Sequence, residues 1–224
     1  GWGPDKIGLS VQEQGGDYVL NGTKMFVPDA HIADQLLVIG RSAPGDRGAG
    51  LTAVVVDRET PGLAVRTLSG WLGDKMNEIT FRNVRVPGSA LVGPVGGAWP
   101  AVQKALDAGV IAQSAYILGG CRRVFAMSVE RSQTRIAFGV AIGTLQHVQD
   151  YLVEMANIEE SLRWSTFEAL WKVDNQQPDA ALSIAMASAI ASEGYPHAAE
   201  GAHHVHAGLG VDMGYGLPYF TQKA

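Results

Sequence analysis

Up to about residue 97 apolar and polar positions alternate in short runs, YVLNGTKMFV, QLLVIGRS, LTAVVVDR, LAVRTL and EITFRNVRVP, punctuated by glycine and proline. Alternation with period two at this spacing predicts strands packed as a small sandwich or barrel. Asn21–Gly22 is the dipeptide of a tight hairpin turn between two such runs. From Ala98 the apolar period lengthens and Ala, Leu, Met, Glu and Gln dominate, which predicts helices over 98–131, 141–174 and 178–207. DNQQPD separates the last two: Asp174 or Asn175 can end one helix, and Pro178 suits the first turn of the next. Gly194 and Pro196 predict a kink in the third helix. Trp164, Phe167, Leu170 and Trp171 share one face of the second helix and are expected to form a core stripe. LVGPVGGAW, 91–99, reads as a hinge. The expected fold class is α+β, a small antiparallel β-domain over 1–97 followed by a helical bundle over 98–224.

Composition narrows the function. The 224 residues are 46% hydrophobic and 17% charged, the balance of a globular chain long enough to bury a core. A net charge of -5 with no Lys/Arg run argues against a nucleic-acid partner. No apolar run approaches the roughly 20 residues that span a bilayer. The single cysteine, Cys121, cannot close an internal disulfide and fits a reducing cytoplasm. The N-terminal GWGPDKIGLS has neither a basic n-region nor an apolar h-region, so no secretion signal is expected; with no initiator Met, it points to a true start elsewhere.

Between the first two predicted helices lies RSQTRIAFGVAIGTLQ, which sets Arg135, Phe138 and Gly139 close together. Joining two helices needs only a short turn, and one glycine ends a helix adequately. The arginine and the phenylalanine therefore ask for a separate reason. A bland one exists: a cation at a helix terminus and a buried ring.

The order of the pieces, LNGTKMFV, a strand ending VRVP, long helices carrying RIAFG and LQ, and finally HHVHAGLGVDMGYGLP, resembles the acyl-CoA dehydrogenase family. These are flavoproteins with an N-terminal helical domain, a middle β-domain and a C-terminal four-helix bundle. The resemblance runs from about Asp17 to Ala224, and KMFVPDAHIAD and VHAGLGVD look most like the branch that takes steroid and other bulky CoA thioesters. It implies FAD as cofactor, an acyl-CoA substrate, α,β-desaturation as the reaction, and a homo- or hetero-oligomer of similar chains.

The resemblance also implies site residues. The Arg of R-x-x-F-G, here Arg135, binds the FAD pyrophosphate, for which a planar, permanently charged guanidinium is suited, and Phe138 packs at the adenine end. Ala207, Gly208 and Gly210 stand in the glycine motif that a neighbouring subunit contributes, with His204 where the family often has Gln. Phe26, Val27 and Pro28 replace the flavin-facing W-I-T; Phe can serve as an apolar wall, but Pro28 brings neither a hydroxyl nor an N–H. The reaction needs a carboxylate base. One family position for it corresponds to Gly109, and the other lies beyond Ala224. Asp107, two residues from Gly109, is the nearby candidate for that base, although it is rotated about 200° around a helix. The N-terminal helical domain and the last helices are expected to lie outside the chain. His203, His204 and His206 lack a ligand partner at suitable spacing, so no metal is expected. Three functions stay open: a desaturating flavoenzyme subunit, a noncatalytic partner that completes another chain's FAD site, and a helical interaction module without cofactor.

Overall fold

The structure is a computed structural model that describes residues 3–70 and 73–222; the outer domain limits, residues 1 and 224, lie outside the described residues. The chain divides into two compact units, one ending at Lys104 and the other starting at Ala105.

In the first unit the alternating runs become β1 (Ser10–Gln14), β2 (Asp17–Pro28), β3 (Gln35–Arg41), β4 (Leu51–Asp57), β5 (Leu63–Leu68), β6 (Met76–Pro87) and β7 (Leu91–Val92). They form one sheet in the order β5-β6-β2-β1-β3-β4-β7. Neighbours are antiparallel except β1 and β3, which meet in parallel through Ser10 and Arg41. Inward residues from five strands, among them Val11, Leu20, Val38, Val54 and Phe81, join one buried core, and β5 and β7 stand at the edges of the sheet. Full burial of a side chain such as Phe81 contributes about 1.5–3 kcal/mol.

Two expectations for this unit are corrected. Asn21–Gly22 does not turn; it lies inside β2. The Asn21 side chain is occupied by Asn83 on β6, donating to its Oδ1 at 3.1 Å and accepting from its N–H at 2.8 Å. Gly22 is demanded by close approach, since a Cβ there would come within 3.1 Å of the Leu9 backbone. The hairpin turn is Gly15–Gly16, with φ of 65° and 87°, joining β1 to β2 through the pair Gln14 and Asp17. Nor is 91–99 a free hinge. β7 pairs with β4, the Gly96 N–H donates to Thr52 Oγ1 at 2.8 Å, and Ala98 N–H donates to Leu51 O at 2.9 Å.

The helical half gives α1 (Trp99–Thr134), α2 (Gln146–Asp174), α3 (Ala180–His206) and a short α4 (Pro218–Thr221). In the second unit Val124 and Met127 of α1, Met155 and Leu162 of α2, and Ala198 and Ala202 of α3 share a core. α3 is continuous through Gly194 and Pro196. Gly194 has a packing role, because a Cβ there would sit 2.9 Å from Ile158 Cγ2 on α2. The expected core stripe is corrected too: Trp164, Phe167, Leu170 and Trp171 are exposed, Trp164 to 63%. The face of α2 that packs inward carries Met155, Leu162, Thr166 and Ala169, smaller side chains that suit close helix packing.

Candidate functional site

The connection after α1 is a two-stranded hairpin, β8 (Ile136–Ala137) and β9 (Val140–Ala141), which helix periodicity did not reveal. Its register pairs Ile136 with Ala141 and Ala137 with Val140, leaving Phe138 and Gly139 as the two-residue tip. Both have positive φ, 52° and 81°, the geometry of the turn whose twist matches paired strands. Glycine accepts it freely, whereas a phenylalanine at positive φ is strained. The tip holds Phe138 away from its own unit at 94% exposure, so the bland reading of a buried ring is wrong. Below it the Arg135 carbonyl accepts from Ile142 N–H at 2.9 Å, tying the hairpin base. The exposed Arg135 guanidinium has no hydrogen-bond or ion-pair partner among the described residues. A fork of donors at the base of the hairpin and an exposed ring at its tip are suited to a phosphate joined to an aromatic base.

At the end of α3, His204 lies against Tyr151 of α2, ring centroids 4.8 Å apart and planes within 9°. Its Nε2 is 3.9 Å from Glu200 Oε1. Both rings line a groove of about 510 Å³ between α2 and α3, together with Glu154, Asn157, His197 and Glu200. The helix ends at Ala207, φ 50° and ψ −136°, another strained conformation for a residue other than glycine. The two glycines that follow differ. A Cβ on Gly210 would meet His203 Nδ1 at 2.9 Å, so that glycine serves the chain's own packing; around Gly208 there is open space.

The three histidines diverge. His203 Nε2 faces Thr221 Oγ1 at 2.8 Å, His204 stacks on Tyr151, and the buried His206 donates from Nδ1 to Ala202 O at 2.8 Å. No group of His, Cys, Asp or Glu among the described residues is arranged to hold a metal. Burial holds the His206 imidazole below its ordinary pKa; the Ala202 hydrogen bond opposes that shift, and Arg131 adds to it. The unfolded chain therefore takes up this proton first. The stability His206 contributes is complete above about pH 6.5 and falls as pH drops below it, by at most about 1.4 kcal/mol per pH unit. Thermal melts between about pH 7.5 and 5.5 are expected to show a larger loss for the parent chain than for His206→Gln; parallel losses refute the assignment. The Cys121 thiol is buried and pushed up to about 12, which makes it unreactive.

In the first unit Phe26 is 68% exposed with φ 57°. Val27 leans on the sheet core, and its carbonyl accepts from Asn77 Nδ2 at 3.0 Å. Pro28 pairs in register with Met76. Of these three, Phe26 offers the largest apolar surface to a ligand. Gly109 lies exposed in the first third of α1, and a Cβ there would meet nothing within 4 Å. Tyr151 and Asn77 are neighbours of the site that sequence reasoning missed. Asn77 was legible in principle, since it shares the inward phase of β6 with the buried Ile79 and Phe81.

The family model for the acyl-CoA dehydrogenase C-terminal domain matches residues 96–224, and that for the middle domain matches residues 6–84. The chain is 29% identical to (R)-benzylsuccinyl-CoA dehydrogenase of Thauera aromatica, over 99% of this chain and 56% of that protein. It is 30% identical to acryloyl-CoA reductase (NADH) of Anaerotignum propionicum, over 99% of this chain and 57% of that protein. A solved structure of PigA with FAD and proline superposes with a TM-score of 0.93 at 28% identity, over 98% of this chain and 58% of that one. The chain thus spans about half the length of the curated relatives it matches.

Proposed function

Because the chain belongs to the acyl-CoA dehydrogenase family, we propose that it holds FAD and serves the α,β-desaturation of an acyl-CoA thioester, bulky or steroid-derived. The observation that carries this reading is the hairpin: an Arg135 guanidinium without a partner among the described residues at its base, and a Phe138 that its turn keeps 94% exposed at strained φ. Strain of that kind persists where a function needs the side chain displayed. In the second unit Arg135 would hold an FAD pyrophosphate and Phe138 an adenine end; in the first, Phe26, with Val27 and Pro28 beside it, would face an isoalloxazine. His204, Ala207, Gly208 and Gly210 would meet the FAD of a neighbouring subunit. Gly208 leaves room for such an approach, and Tyr151 orients the His204 ring. Bound there, FAD supplies the hydride acceptor; binding, orientation and the base are the protein's share. The bulky substrate is supported by KMFVPDAHIAD and by a relative named for benzylsuccinyl-CoA.

A second reading has its own observation. Gly109, where the family places a base, has open space and no carboxylate, which favours a noncatalytic subunit that completes the FAD site of a catalytic chain. In either role the exposed Trp164, Phe167, Leu170 and Trp171 support an oligomer, since a patch of this kind marks an interface. The buried single cysteine accords with a reducing cytoplasm, and no helix among the described residues is long and apolar enough to cross a membrane. Titration of the purified chain with FAD, followed by the visible absorption of bound flavin, tests the cofactor. Light scattering on the same sample tests assembly. No FAD uptake overturns the first reading, and a stable monomer at micromolar concentration overturns the oligomer.

A further inference from the structure

The strand that presents Phe26 contains an irregularity with an identifiable cause. Between the pairs Lys24–Ile79 and Val27–Asn77, β2 advances three residues while β6 advances two. The extra residue makes a β-bulge, and Phe26 absorbs it at φ 57°, a conformation that glycine normally fills. A phenylalanine stays in that conformation only where its surroundings dictate it.

Asn77 is hydrogen-bonded directly to the residue that follows Phe26. It is completely buried, on the inward face of β6 where the alternation calls for an apolar side chain. Its Nδ2 donates to Val27 O at 3.0 Å, immediately after the bulge, and to Lys75 O at 3.1 Å. Its Oδ1 accepts from Thr67 Oγ1 at 3.0 Å on β5. The same Lys75 carbonyl accepts from Asp29 N–H at 3.3 Å, so Val27 and Asp29 are both tied to the short stretch 75–77 that leads into β6. A buried amide that satisfies three bonds in place of an apolar contact fixes one arrangement of these strands at a cost in sheet packing.

We propose that Asn77 is a positioning residue for the flavin site: it locks the 26–27 bulge and thereby holds the Phe26 ring out as the wall for the isoalloxazine. This rests on the FAD reading above. The test compares Asn77→Ala and Thr67→Val in the full chain with the same changes in a Phe26→Gly background, where glycine adopts the bulge conformation unaided and carries no ring. FAD affinity and the visible circular dichroism of the bound flavin are read in each. Asn77→Ala is expected to weaken FAD about tenfold and to change the dichroism, Thr67→Val to do the same more weakly, and both effects to vanish in the Phe26→Gly background. Equal losses in the two backgrounds overturn the proposal, since Asn77 then merely supports the sheet. Should Asn77→Ala fail to fold, Thr67→Val decides, because Thr67 is exposed and its change removes only the bond to Asn77 Oδ1. If the parent chain takes up no FAD, the flavin reading fails by itself. Amide exchange at the bulge then judges the lock: faster exchange in the Thr67 variant sustains it, and unchanged protection overturns it.

Discussion

Given straight-chain and steroid-type CoA esters in a dye-coupled assay, the isolated chain is expected to show no measurable dehydrogenation. Removal of an α-proton needs a positioned base, whose contribution runs to about 10²–10⁴ in rate. Gly109 has no group to offer. Asp107 on the same helix is turned about 200° away from the direction a side chain at 109 would take. The site tolerates a side chain, since nothing lies within 4 Å of a Cβ at Gly109. If a partner subunit supplies the base, activity is expected only on mixing the two, whereas Gly109→Glu is expected to restore a trace only in a chain to which the family's N-terminal domain has been joined. Gly109→Ala is the matching control: it adds no base and should stabilise α1 by about 1 kcal/mol, read as a higher Tm. Robust turnover by the isolated chain would falsify the noncatalytic reading and direct attention to Asp107, Glu130 or Glu200.

Arg135→Ala is expected to lower FAD affinity about 10- to 150-fold, the equivalent of the roughly 1.5–3 kcal/mol carried by a charge-assisted hydrogen bond. The guanidinium has no partner among the described residues, so its removal leaves no internal group stranded, and the loss reports the ligand alone. Arg135→Lys should recover part of the affinity, because an ammonium keeps the charge but not the planar fork. Titration by flavin absorbance separates the three chains. Equal affinity in all of them would remove Arg135 from the site.

Why some of this was legible in the sequence and some was not follows from the range of the forces involved. Helix and strand periods are local, and they placed β2 to β6 and the three long helices within a few residues. The fate of a short motif depends on what faces it. Asn21–Gly22 has the composition of a turn, yet Asn83 claims the asparagine side chain and Leu9 crowds the glycine, neither of them near in sequence. The aromatic stripe on α2 satisfies helix periodicity, but periodicity does not say which stripe faces the core; the smaller stripe did, because α3 packs closely there. Arg135 and Phe138 stand out in the sequence as residues a helix connection does not need, and both are exposed. The hairpin that displays them escaped notice because it is four paired residues long, too short for an alternating pattern to register. Asn77 and Tyr151 were missed for the opposite reason: each matters through a partner on another element.

The pairing of Asn21 with Asn83 also bears on how the protein ages. An Asn-Gly sequence loses its amide when the following backbone nitrogen attacks the side-chain carbonyl carbon, a closure that requires the backbone to fold back on itself. Inside β2 the backbone is extended, and both atoms of the Asn21 amide are engaged across the sheet. The closure must wait for β2 to separate locally from β6, an opening that a strand paired on both sides seldom makes. The sheet thus protects its most deamidation-prone dipeptide for as long as it stays folded, and conversion of Asn21 to aspartate becomes a clock that runs mainly in unfolded chains.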